Sequence, residues 1–241
     1  YLLGYWLGDG HSNRTQFSTQ ESNVLIHLQK ESLKKHKELY ISYTGFQYDY
    51  SIVSMKKGAK CNTFLNGLKK YNLLKNKHIP IDYKCNERDV QLKILAGIID
   101  SDGSKNNNCY DIIQKSEILM DDIIYLSRSL GFAAYKSKCE KSCTYKGERK
   151  VGTYYRTTIH GDGLHEIPVK CPRKTCEVRK QIKDTLNTRI MIEKLEVDDY
   201  YGFEIDGNRR FLLGDFTVTH NTVMALKIIC NIQKKTLILV H

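Results

Sequence analysis

One nine-residue pattern constrains this chain more than any other, because it occurs twice. Residues 2–10 read Leu-Leu-Gly-Tyr-Trp-Leu-Gly-Asp-Gly, and residues 95–103 read Leu-Ala-Gly-Ile-Ile-Asp-Ser-Asp-Gly. Each is a short apolar run ending in Asp-Gly, with small residues four apart: Gly4 and Gly8 in the first, Gly97 and Ser101 in the second. Positions i and i+4 share a helix face. Two such helices can therefore pack backbone to backbone along their small-residue faces, as small-xxx-small pairs do. Gly10 and Gly103 then fit the left-handed position that ends a helix.

The acid before each terminal glycine is out of place for stability alone. A carboxylate at a helix C-terminus meets the negative end of the dipole, at a cost of roughly 0.3–1 kcal/mol. Packing the two helices also sets Asp9 beside Asp102, like charge against like. A divalent cation removes the conflict, since carboxylate and carbonyl oxygens are hard ligands suited to Mg2+. The pattern predicts a two-carboxylate metal site on a pseudo-two-fold axis.

These residues resemble the LAGLIDADG (DOD-type) homing endonucleases. The second copy departs from that name only at Ile98 and Ser101, and the first has Leu7 where the name has its first Asp. The family's metal-binding Asp is present in both copies as Asp9 and Asp102, 93 positions apart (102 − 9). The resemblance implies an α+β fold of two pseudo-symmetric αββαββα halves, with saddle-shaped antiparallel sheets over the DNA major groove. It implies a Mg2+ (divalent cation) site at Asp9 and Asp102, with Gly8 and Ser101 beside them. It also implies a long asymmetric double-stranded DNA target and an endonuclease acting as a monomer.

Composition agrees with that partner. The net charge of +11 and pI near 9.1 suit a polyanion, because phosphate neutralisation drives sequence-independent affinity. The 241 residues are enough for one large domain or two modest ones. No apolar run approaches the ~18–20 residues that span a membrane, so no membrane partner is expected. The chain starts at Tyr1, inside the first motif, and is expected to be a fragment lacking its N-terminal intein half. Eight cysteines occur without a Cys-x-x-Cys pair; Cys139/Cys143 and Cys171/Cys176 are poorly spaced for zinc. Reduced thiols of an intracellular (cytoplasmic or nuclear), non-secreted protein are expected.

Along the chain, residues 14–20 read as a short strand and 21–35 as an amphipathic helix with Val24, Leu25, Leu28 and Leu33 on one face. Residues 40–55 read as strands turning at Gly45, and Phe64 to Leu74 as a helix that stops before Pro80. The order returns after Gly103: strand-like 110–114, a helix over 117–130 with Gly131 past its end, and strands over 133–143 and 152–160. In the last, Arg156, Thr158 and His160 alternate with Tyr155, Thr157 and Ile159, as a groove-reading surface needs. Gln20-Glu21-Ser22 and Gln114-Lys115-Ser116 stand at nearly equal distances from their Asp residues, so the repeat is a whole module.

Lys77-His78-Ile79-Pro80 precedes the second motif, with Lys77 lying 25 positions before Asp102 (102 − 77). Vacuolar-ATPase-type inteins, which this stretch resembles, carry their active-site lysine in such a Lys-x-Ile-Pro. The resemblance gives Lys77 the role of polarising the attacking water or steadying the phosphate. The second half repeats the landmark as His165-Glu166-Ile167-Pro168, which puts His165 where the lysine is expected. Its basic residue stays open between His165, Lys170 and Lys174.

Residues 199–222 end in Val-Thr-His-Asn-Thr. Residues 200–205 and 211–218 are strand-like, with Asp206-Gly207-Asn208 as the turn between them. This resembles the C-terminal splicing blocks of inteins, a piece of the Hint domain. There Asn221 cyclises onto its own carbonyl, His220 polarises that carbonyl as general acid, and Thr222 supplies the accepting hydroxyl. Arg209 stands where the intein pattern has His. Residues 222–241 resemble the helix and strand after the P-loop of DEAD/DEAH-like helicases, with Thr222 as the Mg2+-binding residue of that motif.

The resulting division is 1–88 and 89–190 for the two endonuclease halves, 191–221 for the splicing segment and 222–241 for the start of the host helicase. The expected function is a site-specific homing endonuclease making metal-dependent double-strand cuts, within a fragment of a helicase precursor. The alternatives are a DNA-binding remnant that no longer cleaves and a helicase or ATPase fragment. No Gly-x-x-x-x-Gly-Lys precedes Thr222, which counts against the latter.

Overall fold

In a computed structural model of the chain, the residues described are 1–178 apart from 59 and 146–147, isolated positions between 180 and 199, and 205–220. The chain divides into two compact units, Tyr1–Leu186 and Asn187–His241.

The first unit is α+β, and its element order is duplicated. The leading half runs α1 (Leu2–Asp9), β1 (Gln16–Ser18), α2 (Ser22–Lys35), β2 (Leu39–Tyr43), β3 (Asp49–Ser54), α3 (Thr63–Lys70) and α4 (Ile81–Lys84). The following half runs α5 (Arg88–Asp102), β4 (Gly103–Asn106), β5 (Cys109–Gln114), α6 (Glu117–Ser129), β6 (Ser137–Tyr145) and β7 (Glu148–Ile159). Two 3-10 turns follow, Leu164–Glu166 and Pro172–Lys174. Both sheets are antiparallel, ordered β1-β3-β2 and β4-β5-β7-β6.

The leading half has one strand fewer than expected. Where β4 pairs Gly103 with Ile112, the first copy keeps a single bridge, Gly10 to Phe17. In place of the expected closing helix, the second half shows the two 3-10 turns among the described residues. Neither terminal glycine is left-handed: Gly10 (φ −73, ψ 147) and Gly103 (φ −83, ψ 156) are extended and lead straight out of the helix. What requires glycine is proximity, since a Cβ on Gly10 would sit 2.2 Å from the Trp6 carbonyl oxygen and one on Gly103 2.8 Å from that of Ile99.

Local signals explain the remaining elements. Ser116 caps α6 by accepting from the Leu119 amide, and Gly131 (φ 89) takes the left-handed position past its end. Asn62 caps α3 the same way through the Leu65 amide. That helix ends at Lys70, short of the expected Leu74, because Asn72 (φ 51) and Lys75 (φ 59) turn the chain. Hairpin β6–β7 is longer than the pattern suggested, with Arg156 and Thr158 exposed and Thr157 and Ile159 buried.

Two apolar clusters flank the motif helices. One joins Trp6, Leu7 and Ile79 to Leu95, Ile98, Ile99, Ile112 and the α6 residues; the other joins Leu2, Tyr5, Phe17, Leu28 and Ile52 of the leading half to Cys171. Among the described residues no helix is long and apolar enough to cross a membrane.

In the second unit the described residues form a hairpin of β8 (Arg210–Leu212) and β9 (Val218–His220). The expected strand over 211–218 is thus folded in two. Asp215 caps the turn through the Thr217 amide, and Phe216 (φ 68) reverses the chain. Gly207 (φ 70) marks a separate turn before β8.

Candidate active site at the crossing of two helices

The small residues do what their spacing predicts. A Cβ on Gly4 would fall 2.1 Å from the Ile94 carbonyl oxygen, one on Gly97 2.3 Å from that of Tyr1, and one on Gly8 1.9 Å from Ser101 Oγ. Helices α1 and α5 therefore touch along their backbones, and their C-terminal ends finish side by side.

That places Asp9 and Asp102 together. Asp9 keeps an exposed edge, yet the crowding around its carboxyl desolvates it. This burial, and then the Asp102 charge, push Asp9 up from 3.8 to about 6, against the pull of Lys174 and Lys77. In its protonated form Asp9 donates a hydrogen bond to Asp102. Gln114, at the end of β5, donates through Nε2 to Asp102 Oδ2 at 2.6 Å. Gln20, its near-equivalent in the first half, lines a cavity with Asp9, Ser18, Ser101 and Lys174.

Each helix end also carries a lysine. Lys77 Nζ donates to the carbonyl oxygens of Gly8 (3.0 Å) and Gly10 (2.6 Å) and lies 5.1 Å from the centroid of the Trp6 ring. Burial lowers Lys77 from 10.5 to about 8, with the Asp102 and Asp9 charges resisting. Lys174 Nζ donates to the carbonyls of Ile99 and Asp100, both at 2.8 Å, and lies 3.5 Å from that of Ser101. Only 3% of Lys174 is exposed, and this burial lowers its pKa, with Asp100 opposing. Cations at helix C-termini offset the dipole that the two aspartates aggravate.

The three candidates for the second basic residue are placed differently. Lys174 holds the position at α5 that Lys77 holds at α1. His165 is exposed in the first 3-10 turn, and the Lys170 charge lies beside His27. The Ile-Pro landmark misled, while a forward count from each motif was informative: Lys77 follows Asp9 by 68 positions (77 − 9) and Lys174 follows Asp102 by 72 (174 − 102).

Ser101 Oγ donates back to the carbonyls of Gly97 and Ile98, both at 3.0 Å, so its hydroxyl is turned onto its own helix. The Gly8 carbonyl already accepts from Lys77, although a carbonyl oxygen has a second lone pair. Asp100, the motif's other acid, faces away from the pair. Its buried carboxylate accepts from Tyr1 OH (2.5 Å) and from the amides of Lys170 (2.5 Å) and Cys171 (3.1 Å). Beside Asp102 the second sheet presents Ser104, Asp111, Ile113, Lys141 and Tyr154 around a cavity. Arg156 is held there by both oxygens of Asp111, at 2.7 and 2.8 Å.

Residues 84–184 match the family model described as Homing endonuclease. That match covers less than half of the chain. Among the curated proteins it resembles is the Homothallic switching endonuclease of Saccharomyces cerevisiae. It is 27% identical over 255 residues, a match covering 89% of this chain and 42% of that protein. Another is the Replicative DNA helicase DnaB of Mycobacterium intracellulare, 23% identical over 172 residues, covering 66% of this chain and 26% of that protein. The chain spans less than half the length of either relative. Among solved structures it is similar to mesophilic variants of the homing endonuclease I-DmoI, at 15% identity and a TM-score of 0.44 over 66% of this chain and 86% of that one. It is also similar to I-DmoI in complex with DNA and Mn, at 14% identity and a TM-score of 0.43 over 66% and 87%.

Of the other expected residues, Asn221 and Thr222 lie outside the described residues, as do 223–241. The main chain of His220 is described at the end of β9, where it pairs with Arg210; Arg209, just before, has φ 56.

Proposed function

We propose that this chain is a homing endonuclease of the LAGLIDADG type that cuts both strands of a long asymmetric DNA site, using Mg2+ or a similar divalent cation. The observation that carries this reading is the pair Asp9 and Asp102 at abutting helix ends, each end capped by a lysine.

The donor set fits a hard cation. Burial first and then the neighbouring Asp102 charge raise the pKa of Asp9, a cost that a bound cation would offset. Among the described residues no group of three or more His, Cys, Asp or Glu comes together, so no dedicated cage is formed. Mg2+ is ordinarily bound by one or two carboxylates with substrate phosphate and water completing the shell, which is what this site offers. Bound there, the cation supplies Lewis-acid polarisation of the scissile phosphate.

The chain's own residues do the rest. Gln114 fixes one oxygen of Asp102. Lys77 and Lys174 stand one on each side, placed to orient water and steady charge on a phosphate oxygen. A lysine near 8 loses and regains its proton readily at neutral pH, so Lys77 is suited to handling the proton of the attacking water. The duplicated arrangement gives one half-site per strand. The sheets, with Arg156, Thr158 and Lys141 outward on the second, present the DNA-reading surface.

His220, Asn221 and Thr222 are assigned to C-terminal splicing chemistry on the intein resemblance, within a helicase precursor. We assign the chain to an intracellular setting, with the endonuclease acting as a monomer.

The test is cleavage of a plasmid carrying P-loop codons joined directly to the codons of residues 222–241, with Mg2+ and with EDTA. A double-strand cut near the junction, lost in Asp9→Asn and in Asp102→Asn, supports the reading. Tight binding without cutting points to a DNA-binding remnant, and absence of binding removes the reading altogether.

A further inference from the structure

Neither lysine reaches its helix end unaided; each comes from a segment clasped by a carboxylate. In the second half the clasp is Asp100, which accepts from the Lys170 and Cys171 amides just before the turn that carries Lys174. The equivalent motif position in the first half is Leu7, which has no acceptor to give.

The first lysine segment is held instead from across the helix pair. The Ile79 amide donates to Asp122 Oδ2 at 2.7 Å, and Lys84 Nζ donates to Asp122 Oδ1 at 2.5 Å. Asp122 lies on α6 of the second half and is 7% exposed, and Ile79 is fully buried. Pro80 has no N–H, so the Ile79 amide is the last main-chain donor before the α4 turn. It stands two residues from Lys77. Satisfying one amide with a buried carboxylate is a costly choice, because the acid also needs a cation, here Lys84. A main-chain carbonyl would serve if only the loop's fold were at stake.

The geometry points to Asp122 as the positioning residue for Lys77, acting through the Ile79 amide, so that the second half sets the basic group of the first half-site. This rests on the endonuclease reading for its consequence, though the anchoring is measurable without DNA. A reciprocal tie holds the other segment: Cys171 packs in the leading half's apolar cluster, and Arg173 Nε donates to Glu21 Oε1 at 2.9 Å.

The experiment uses the full chain and two readouts. In the first, amine acetylation by an N-hydroxysuccinimide ester is followed by mass spectrometry at Lys77 and Lys174. In Asp122→Ala, Lys77 labels at least about ten times faster while Lys174 stays protected. In Asp122→Asn, which keeps an acceptor for the amide, Lys77 stays near its native rate. Unchanged Lys77 labelling in the Ala variant, or parallel exposure of both lysines in the Asn variant, overturns the proposal. The second readout is strand-resolved nicking of the plasmid above. Asp122→Ala should slow one strand by about ten- to a hundredfold relative to the other, whereas a purely structural role slows both alike and overturns the positioning role. Native protein that labels as expected but never nicks DNA would instead refute the nuclease reading and leave the anchoring intact.

Discussion

The two half-sites end in the same pair of groups, an aspartate and a lysine, but hold them by different means. Asp102 is gripped by Gln114, and its lysine is sealed among main-chain carbonyls by a motif acid, Asp100. Asp9 has an exposed edge and a raised pKa, and its lysine leans on Trp6 and is clasped from the opposite half. After a duplication, the positions that meet substrate are constrained by chemistry, while the supports behind them need only deliver the same atoms. The two motifs differ where they support and agree where they end.

The sharpest way to break the comparison is at the carboxylates. Asp102→Asn and Asp9→Asn should each lower metal-dependent double-strand cutting by about three orders of magnitude, several kcal/mol of lost charge stabilisation. DNA binding, followed by electrophoretic shift, should survive both. Equal loss of binding and cutting would show that the pair is architectural.

Next come the lysines. Lys77→Met and Lys174→Met should each slow one strand's nick by about a hundredfold, on opposite strands, as read on end-labelled DNA. Lys174→Met should in addition lower the melting temperature more than Lys77→Met, because Lys174 is the more buried and its loss uncaps the end of α5.

A smaller effect tests the helix crossing. Gly97→Ala puts a Cβ 2.3 Å from the Tyr1 carbonyl oxygen and 2.5 Å from the Tyr5 nitrogen, so backbone must move. The expected loss is about 1–3 kcal/mol, measured by denaturant unfolding. Gly67→Ala, on a helix where the new Cβ meets nothing within 4 Å, should be neutral or slightly stabilising.

The smallest expected effect is the pH dependence of Asp9. A carboxyl raised from 3.8 to about 6 on folding favours the fold while protonated. That contribution is full below 3.8 and is lost as pH rises through about 6. Metal-free protein should therefore lose stability across this window relative to Asp9→Asn. Millimolar Mg2+ should offset the loss above pH 6, because the cation binds the ionised pair. Identical pH curves for the two proteins would remove Asp9 from the charge conflict.

Much of this was legible in the residues themselves. Small residues four apart announced the helix crossing, and Asp-Gly endings announced the acid pair. The strand alternation around Arg156 and the stop at Gly131 also read true. Lys174 was legible only as one of three candidates, because nothing local distinguishes it; the carbonyls it meets lie more than seventy positions away. The hairpin over 210–220 was misread because a non-glycine residue, Phe216, takes the left-handed conformation that the pattern reserves for glycine. The glycines after the motif acids were located correctly but for the wrong cause, since crowding by Trp6 and Ile99, not a positive φ, excludes a side chain there.

The clasp between Asp122 and the Ile79 amide bears on how such a molecule can be rebuilt. A hybrid that joins this leading half to a foreign partner at residues 85–87 would inherit an amide without its acceptor, and Glu21 of the leading half would lose Arg173. Grafts of whole halves should therefore carry residues 79 and 122 as a matched set, or new specificities will come at the expense of one strand's cut.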